Sequence, residues 1–214
     1  LTLLDAGERV ATSFRSAADQ IQTNMQSVES AIDAALSQVN VLTTQLARLN
    51  NEIARSASGS QKPNDLLDQR DKLLQNLSDL TGFTMVEASN GSVTLYLGDT
   101  ASGQKLVGPE GAHQLGALKS GSRIDIAFDP NSNPSITTQI KTGTIAGLMD
   151  FRREATTLMQ TVDRLAVGFA NAVNKQHLLG VDQDGNAGKE LFSTQSLKPV
   201  VGNGNTGLAK MDVA

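Results

Sequence analysis

The sequence of 214 residues contains no cysteine and no tryptophan, and its only aromatic residues are one tyrosine and six phenylalanines. The absence of cysteine excludes disulfides, cysteine-ligated zinc, iron–sulfur clusters and thiol catalysis. The net charge of −4 and the scarcity of rings for base stacking argue against a nucleic-acid binder. No apolar run approaches about 18 residues, so the sequence predicts no membrane-spanning helix.

Residues 1–55 also lack proline and contain one glycine, Gly7. Apolar residues recur there in steps of three and four, which is typical of a coiled-coil-like helix. The members of this first-helix seam are Phe14, Ile21, Met25, Val28, Ile32, Val39, Leu42, Leu46, Leu49 and Ile53. A helix from Leu4 to Arg55 would be roughly 75 Å long, so we expect a projecting rod. The other faces carry mostly uncharged polar residues, which are either solvated or packed against neighbouring subunits.

A second, shorter helix is predicted after the loop-like residues 56–62. We expect Asn64 to be its N-cap and Gly82 to stop it. Six leucines would form its buried face: Leu66, Leu67, Leu73, Leu74, Leu77 and Leu80. The short loop implies antiparallel packing on the first helix.

The pattern changes to that of a small antiparallel β unit after Gly82. Residues 84–87 and 93–97 flank the turn signal Ser89-Asn90-Gly91, which predicts a hairpin. Residues 105–107, 123–128 and 136–140 are the further predicted strands, and 129–134 is a predicted loop.

A third helix is predicted from Thr144 or Gly147 to about His177. Its apolar residues step by four and three, so we expect this seam to lie beside the first helix; they are Phe151, Ala155, Leu158, Val162, Leu165, Phe169 and Ala172.

The predicted class is α+β but mainly α: an elongated antiparallel helical rod (1–82 and 144–180) with an inserted β unit (83–143). The Gly/Asn-rich tail, 181–214, would be the loop-rich start of a truncated outer domain, and we expect the chain to be part of a longer protein.

Residues 182–186 resemble the start of a calcium loop, with oxygen side chains at Asp182, Asp184 and Asn186. However, Ala187 stands where glycine is needed and Ser193 where a bidentate glutamate is needed, and a tight Asx turn requires the same residues. Residues 202–207 match the dinucleotide pattern G-x-G-x-x-G but lack the flanking strand and helix.

No other cluster predicts catalysis. The two histidines, His113 and His177, do not make a zinc site by themselves. Near the start of the second helix, Asp65 and Asp68 complement the helix dipole, and Asp68 and Lys72 have the spacing of a helix ion pair. Arg70 could brace the loop or a neighbouring subunit. A hydrolase site in the β unit would have to use Glu87, Asp99, Glu110, His113, Asp125 and Asp129, which show no motif spacing. We therefore predict no catalytic, cofactor-binding or metal-binding residue.

Two motifs resemble the bacterial flagellar hook-associated protein 1 family, the first of the two hook–filament junction proteins. The first is Pro63, Asn64, Asp65, Leu66, Leu67, Asp68, Gln69, Arg70 and Asp71. The second follows the third helix and includes Asn174, Gln176, His177, Gly180, Asp182, Gly185 and Phe192. The order of helices, motifs and β segment also resembles that family.

The resemblance implies a structural, non-enzymatic protein that leaves the cell unfolded through the flagellar export apparatus and forms an extracellular adapter ring between hook and filament. It implies self-assembly, contacts with the hook protein and the second junction protein, and an export chaperone that binds a terminus missing here. It implies no nucleic-acid or membrane partner. We expect this chain to be monomeric in dilute solution. The alternative is a coiled-coil fibre or adhesin-like extracellular protein with a β head, in which the first-helix seam would pair between chains.

Overall fold

The computed structural model describes residues 2–56, 63–101, 103–120, 123–128, 135–182, 184–193 and 212–213. Its three α-helices are α1 (Leu3–Ser56), α2 (Asn64–Leu80) and α3 (Gly143–His177). Six strands lie between α2 and α3 in the sequence: β1 (Phe83–Glu87), β2 (Val93–Leu97), β3 (Lys105–Gly108), β4 (Gly111–Ala112), β5 (Leu115–Ser120) and β6 (Arg123–Phe128). The short strands β7 (Phe192–Ser193) and β8 (Asp212–Val213) follow α3. The predicted class, mainly α with an inserted antiparallel β unit, is confirmed.

The chain folds into two compact units, which we call the central unit (28–151) and the terminal unit (1–27 with 152–214). The core of the central unit draws on α1, α2, the strands and the start of α3, and its side chains include Leu46, Leu77, Leu95, Ile126 and Ile145. In the terminal unit the buried cluster among the described residues consists of Ala11, Ala170, Leu191 and Phe192. Apolar burial is therefore concentrated in the central unit.

Helix α1 runs for 54 residues because no proline interrupts it. Most of the first-helix seam is buried, namely Met25, Ile32, Val39, Leu42, Leu46, Leu49 and Ile53. Phe14, Ile21 and Val28 are half-buried. The single glycine of this segment, Gly7, lies against Phe192, and a Cβ there would make an ordinary van der Waals contact with the ring at 3.4 Å.

Both ends of α2 differ from the prediction. Pro63 occupies the N-cap and Asn64 is the first helical residue; the Pro63 carbonyl accepts the backbone amides of Leu66 and Leu67 at 3.0 and 3.1 Å. At the other end Thr81 is extended and donates its amide to the Leu77 carbonyl. Gly82 is not a left-handed stop. A side chain at Gly82 would force Thr142 to move, because a Cβ there would overlap Oγ1 of Thr142.

Strands β1 to β4 form one antiparallel sheet in that order, and β5 and β6 form a separate two-stranded sheet. The hairpin β1–β2 has the predicted turn, with Glu87 opposite Val93. Strands β4 and β5 were not predicted. The strand predicted at 136–140 is wrong, since a 3₁₀ turn spans Thr137–Gln139. Ile136 and Ile140 are both buried but Thr138 between them is exposed, whereas in an alternating strand Thr138 would share the face of the two isoleucines.

Helix α3 has about the predicted extent but a different buried face. Its buried residues are Ile145, Ala146, Arg152, Ala155, Met159, Ala166, Ala170 and Asn174. Of the predicted seam only Ala155 is buried, whereas Phe151, Leu158 and Leu165 are 50%, 52% and 62% exposed. The predicted packing beside the first helix is therefore wrong for Phe151, Leu158 and Leu165, whereas the Phe169 ring does lie 6.3 Å from that of Phe14 on α1. The buried face lies about one residue further along, which is a rotation of about 100° around the helix.

Candidate functional site

Arg70 is the buried side chain of the first motif, at 8% exposure. Its Nε donates to Oδ1 of Asp71 at 3.1 Å, and its Nη1 donates to Oε1 of Glu87 and to the carbonyl of Gly91, both at 3.2 Å. Glu87 ends β1, and Gly91, with φ +79°, lies in the β1–β2 turn. Arg70 therefore fastens the hairpin to α2.

The rest of the first motif is on or near the surface. Pro63, Leu66 and Leu67 are half-buried, and the exposed members are Asn64, Asp65, Asp68, Gln69 and Asp71. The predicted ion pair between Asp68 and Lys72 is wrong, since neither of these two described residues has an ion pair in the structure. Both side chains are exposed, where such a pair gains little over hydration.

Two asparagines of α1 bind strand backbone in the central unit. Asn50 is 6% exposed; its Nδ2 donates to the Val93 carbonyl at 2.6 Å and its Oδ1 accepts the Val93 amide at 2.9 Å. Asn40 makes the same pair of bonds to Leu115, at 2.9 and 2.8 Å. Each side chain thus replaces a neighbouring strand at the start of β2 or β5. Sequence reasoning missed both; the available signal was an amide on an otherwise apolar helix face.

Asn174 plays the same part in the terminal unit. It is 4% exposed and donates from Nδ2 to the Phe192 carbonyl at 2.8 Å. Its Oδ1 accepts the amides of Leu191 and Phe192 at 3.0 and 2.9 Å. Two members of the second motif, Asn174 and Phe192, are therefore directly bonded.

The Phe192 ring lies in a small aromatic cluster of the terminal unit. Its centroid is 5.8 Å from that of Phe169 on α3, which is 6.3 Å from that of Phe14 on α1. Both ring pairs are tilted, the arrangement that aromatic quadrupoles favour. The cluster brings one member of the first-helix seam to one member of the second motif.

The remaining residues of the second motif form the turn after α3. Oδ1 of Asp182 accepts the amides of Asp184 and Asn186 at 2.9 and 2.7 Å, and its Oδ2 accepts Nδ2 of Asn186 at 2.9 Å. These bonds, the Asn186 side chain first, lower the pKa of Asp182. Gly185 has φ +83°, which suits a tight turn. The loop is thus an Asx turn closed by its own amides; Gln183 lies outside the described residues.

His177 and Gly180 hold the two sides of this turn together. Nδ1 of His177 is hydrogen-bonded to the Lys189 carbonyl. The Gly180 amide donates to the His177 carbonyl at 3.0 Å, and the Gly180 carbonyl accepts the Gly188 amide at 2.9 Å. Gln176 is exposed beside them and lines an apolar groove of about 610 Å³ with Leu3, Phe169, Ala172, Val173 and Val181.

The described acidic residues that were considered for a hydrolase site, Glu87, Asp99, Glu110 and Asp125, are each paired with a basic side chain. Asp99 binds Lys141 at 2.8 Å and Asp125 binds Arg123 at 2.7 Å. Glu110 lies 3.6 Å from Lys105 and 3.5 Å from His113; its own backbone amide, followed by these two bases, lowers its pKa. A carboxyl with a lowered pKa is a poor general acid. Asp129 lies outside the described residues, as does the segment 202–207.

No described helix is long and apolar enough to cross a membrane. In the same part of the chain, no group of three or more histidine, aspartate or glutamate side chains is placed to hold a metal ion. The main features of the described residues are therefore the buried side chains that bind backbone groups, namely Arg70, Asn50 and Asn174, and the apolar groove beside the turn after α3.

A family model described as the flagellar hook-associated protein FlgK helical domain matches residues 1–192. The chain belongs to the FlgK family. It is 33% identical over 208 residues to flagellar hook-associated protein 1 of Salmonella typhimurium, covering 93% of this chain and 37% of that protein. The Escherichia coli protein of the same name is 30% identical over 200 residues, covering 89% of this chain and 36% of that protein. The chain thus spans little more than a third of the length of these relatives.

The FlgK fold is also found among solved structures. The flagellar hook junction protein FlgK from Burkholderia pseudomallei superposes with a TM-score of 0.79 at 30% identity, covering 89% of this chain and 35% of that one. Both motifs fall inside the matched residues 1–192. The first motif lies in the central unit and the second in the terminal unit.

Proposed function

We propose that this chain is part of a structural adapter at the junction between the flagellar hook and the filament. The observation that carries the proposal is the family match over residues 1–192, which is supported by the fold agreement with the Burkholderia hook junction protein. Since the chain spans about a third of its relatives, the junction role belongs to the full-length protein.

The contribution of this part is mechanical. The 54-residue helix α1 is hydrogen-bonded to strand backbone by Asn40 and Asn50, and Arg70 fastens the β1–β2 hairpin to α2. Such bonds resist sliding of strands along helices, because displacement would leave buried amides and carbonyls without partners. A load applied to α1 is therefore passed to the β unit without loss of register.

The partners of the full-length protein follow from this role. It assembles with further copies of itself, contacts the hook protein on one side and the second junction protein on the other, and is carried to the export apparatus by a chaperone. It acts outside the cell, on the flagellum. It has no catalytic function, in keeping with the ion-paired acidic residues of the β unit.

The proposal can be tested by immunogold electron microscopy of intact flagella with antibodies raised against this chain. Gold is expected in a narrow band where the hook meets the filament. Antibodies preabsorbed with the purified chain are the control. Labelling along the whole filament, or of fibres that are separate from flagella, would contradict the junction role, and the second pattern would favour a coiled-coil fibre.

A further inference from the structure

The hairpin between β1 and β2 turns at Asn90-Gly91, a dipeptide whose amide side chain is chemically reactive in unfolded chains. The backbone nitrogen of the glycine can attack Cγ of the asparagine, because glycine has no Cβ to hinder the approach. The sequence holds this dipeptide twice, at 90–91 and at 203–204, and the second copy lies outside the described residues. Asn90 is exposed, so water reaches its side chain.

The fold favours glycine at position 91. Gly91 has φ +79°, and a Cβ there would lie 3.1 Å from Cγ2 of Ile53 on α1. Its carbonyl also accepts Nη1 of Arg70 at 3.2 Å. A larger residue, which would slow the attack on Asn90, is disfavoured here by backbone strain and by lack of space. Protection of Asn90 therefore has to come from hydrogen bonds within the turn.

The closed hairpin holds both reacting groups in such bonds. The Gly91 N–H donates to the Ala88 carbonyl at 2.9 Å, so it keeps its proton and points at that acceptor. Oδ1 of Asn90 accepts the Ser92 amide at 3.1 Å and the Ser92 hydroxyl at 2.7 Å, which fixes the side-chain amide in an Asx turn. The glycine nitrogen can reach Cγ only after these bonds open.

We propose that Asn90 is a deamidation site whose reaction is confined to the open hairpin, and that Arg70 and Ser92 set its rate by keeping the hairpin closed. In the open form, the lone pair of the Gly91 nitrogen forms a bond to Cγ of Asn90. The bond from Cγ to Nδ2 breaks, and ammonia leaves with the proton of the Gly91 nitrogen. Water then hydrolyses the resulting succinimide to aspartate or isoaspartate.

The modification acts on the contact between the hairpin and α2. Isoaspartate places one extra carbon in the backbone just before Gly91. The loop then no longer matches the closure in which the Ala88 amide donates to the Ser92 carbonyl at 2.8 Å. It also displaces the Gly91 carbonyl that accepts Nη1 of Arg70. Deamidation at this position therefore loosens the hairpin from α2.

Mass spectrometry of the chain after incubation at neutral pH measures the reaction. The tryptic peptide 73–105 contains Asn90 and also Asn76, which precedes Leu77 and is the internal control for background deamidation. Deamidation of Asn90 is expected to be at least about tenfold slower in the folded chain than in guanidinium chloride, because it requires local opening. It should yield isoaspartate together with aspartate. Equal rates in the folded and unfolded chain, an Asn90 that stays intact in guanidinium chloride, or aspartate as the sole product would overturn the proposal.

Two variants test the side chains that keep the hairpin closed, and each is compared with its own rate in guanidinium chloride. Arg70→Lys should raise the folded-state rate about fivefold or more, because lysine lacks the forked donors of arginine. Ser92→Ala should raise it about threefold or more, through loss of the hydroxyl bond. Arg48→Lys, at an exposed arginine of α1, and Ser89→Ala, in the same turn, are the matched controls and should change it by less than about twofold. A rate in Arg70→Lys or Ser92→Ala that is no higher than that of its control would overturn the proposal.

Discussion

The Asn50 side chain on α1 binds both backbone groups of Val93 at the start of β2, with heavy-atom distances of 2.6 and 2.9 Å. The amide group of asparagine has one donor side and one acceptor side in the same geometry as a peptide unit, so it can stand in for a neighbouring strand. Asn40 repeats this at Leu115 and Asn174 at Phe192. Backbone capture by helix asparagines is thus the recurring device that fixes non-helical segments to long helices in this chain.

Replacing Asn50 by alanine should lower the free energy of unfolding by about 2–4 kcal/mol, because the amide and carbonyl of Val93 would lose their partners in a buried site. Asn51→Ala is the matched control: Asn51 is exposed, and its replacement should change stability by less than about 0.5 kcal/mol. Urea unfolding followed by circular dichroism measures both. Equal midpoints for the two variants would show that the Asn50 contact does not stabilise the fold.

Arg70→Lys should destabilise the β1–β2 hairpin by about 1–2 kcal/mol. Lysine keeps the charge but cannot reach Glu87 and the Gly91 carbonyl at once, and the half-exposed Glu87 limits the electrostatic part of the loss. Hydrogen exchange should show faster exchange of hairpin amides, with the α1 amides less affected. Arg48→Lys, at an exposed arginine, is the control. If the hairpin amides of Arg70→Lys exchange as slowly as those of the unmodified chain, Arg70 does not anchor the hairpin to α2.

Two glycines of α3 should respond to alanine in opposite directions. Gly143 has φ +85°, and a Cβ there would lie 2.6 Å from the Leu80 carbonyl carbon, so Gly143→Ala should cost about 2 kcal/mol or more. Gly147 has no neighbour within 4 Å of such a Cβ, and Gly147→Ala should gain about 0.5–1 kcal/mol from the restricted unfolded chain. Thermal unfolding of both variants measures the two shifts, and shifts of the same sign would contradict the described start of α3.

The turn after α3 should loosen in acid. Hydrogen bonds from Asn186 and the loop amides lower the pKa of Asp182 from its ordinary value of 3.8. A depressed pKa in the folded state means that the carboxylate stabilises the turn above pH 3.8, and that this stabilisation is lost as pH falls through the lower folded value. The measurement is an NMR titration of the Asp182 carboxyl and of the Asp184 and Asn186 amides. Asp182→Asn, which does not titrate, is the control; a midpoint at or above 3.8 would contradict the hydrogen-bonded turn.

The long elements could be predicted because each has an unambiguous local signal. Fifty-four residues without proline and with a four–three apolar step leave only a helix for α1, and Asn90-Gly91 between two β-branched segments fixes the first hairpin. Asn174 and Phe192 are both members of the second motif, but the motif does not show that the two residues are hydrogen-bonded. Sequence spacing does not reveal which buried amides find backbone partners, because that depends on how segments far apart in the chain meet.

The buried face of α3 could not be predicted for a physical reason. Two apolar lanes run along this helix, and periodicity favours the one with larger side chains, from Phe151 to Phe169. In the structure a second lane, with Met159, Ala166 and Ala170, is buried together with Ala155, the one buried member of the predicted seam. The larger side chains of the seam that the pattern identifies, Phe151, Leu158 and Leu165, are therefore exposed in this chain.

The most direct test of the junction role is a deletion of the gene in the bacterium that encodes this chain, followed by electron microscopy and swimming assays. The account predicts cells with hooks that lack attached filaments and do not swim, and restoration of both filaments and swimming by the intact gene. A gene carrying Leu42→Asp and Leu46→Asp in the first-helix seam should not restore them, because both leucines are buried in the core of the central unit. Normal filaments and swimming in the deletion strain would contradict the account.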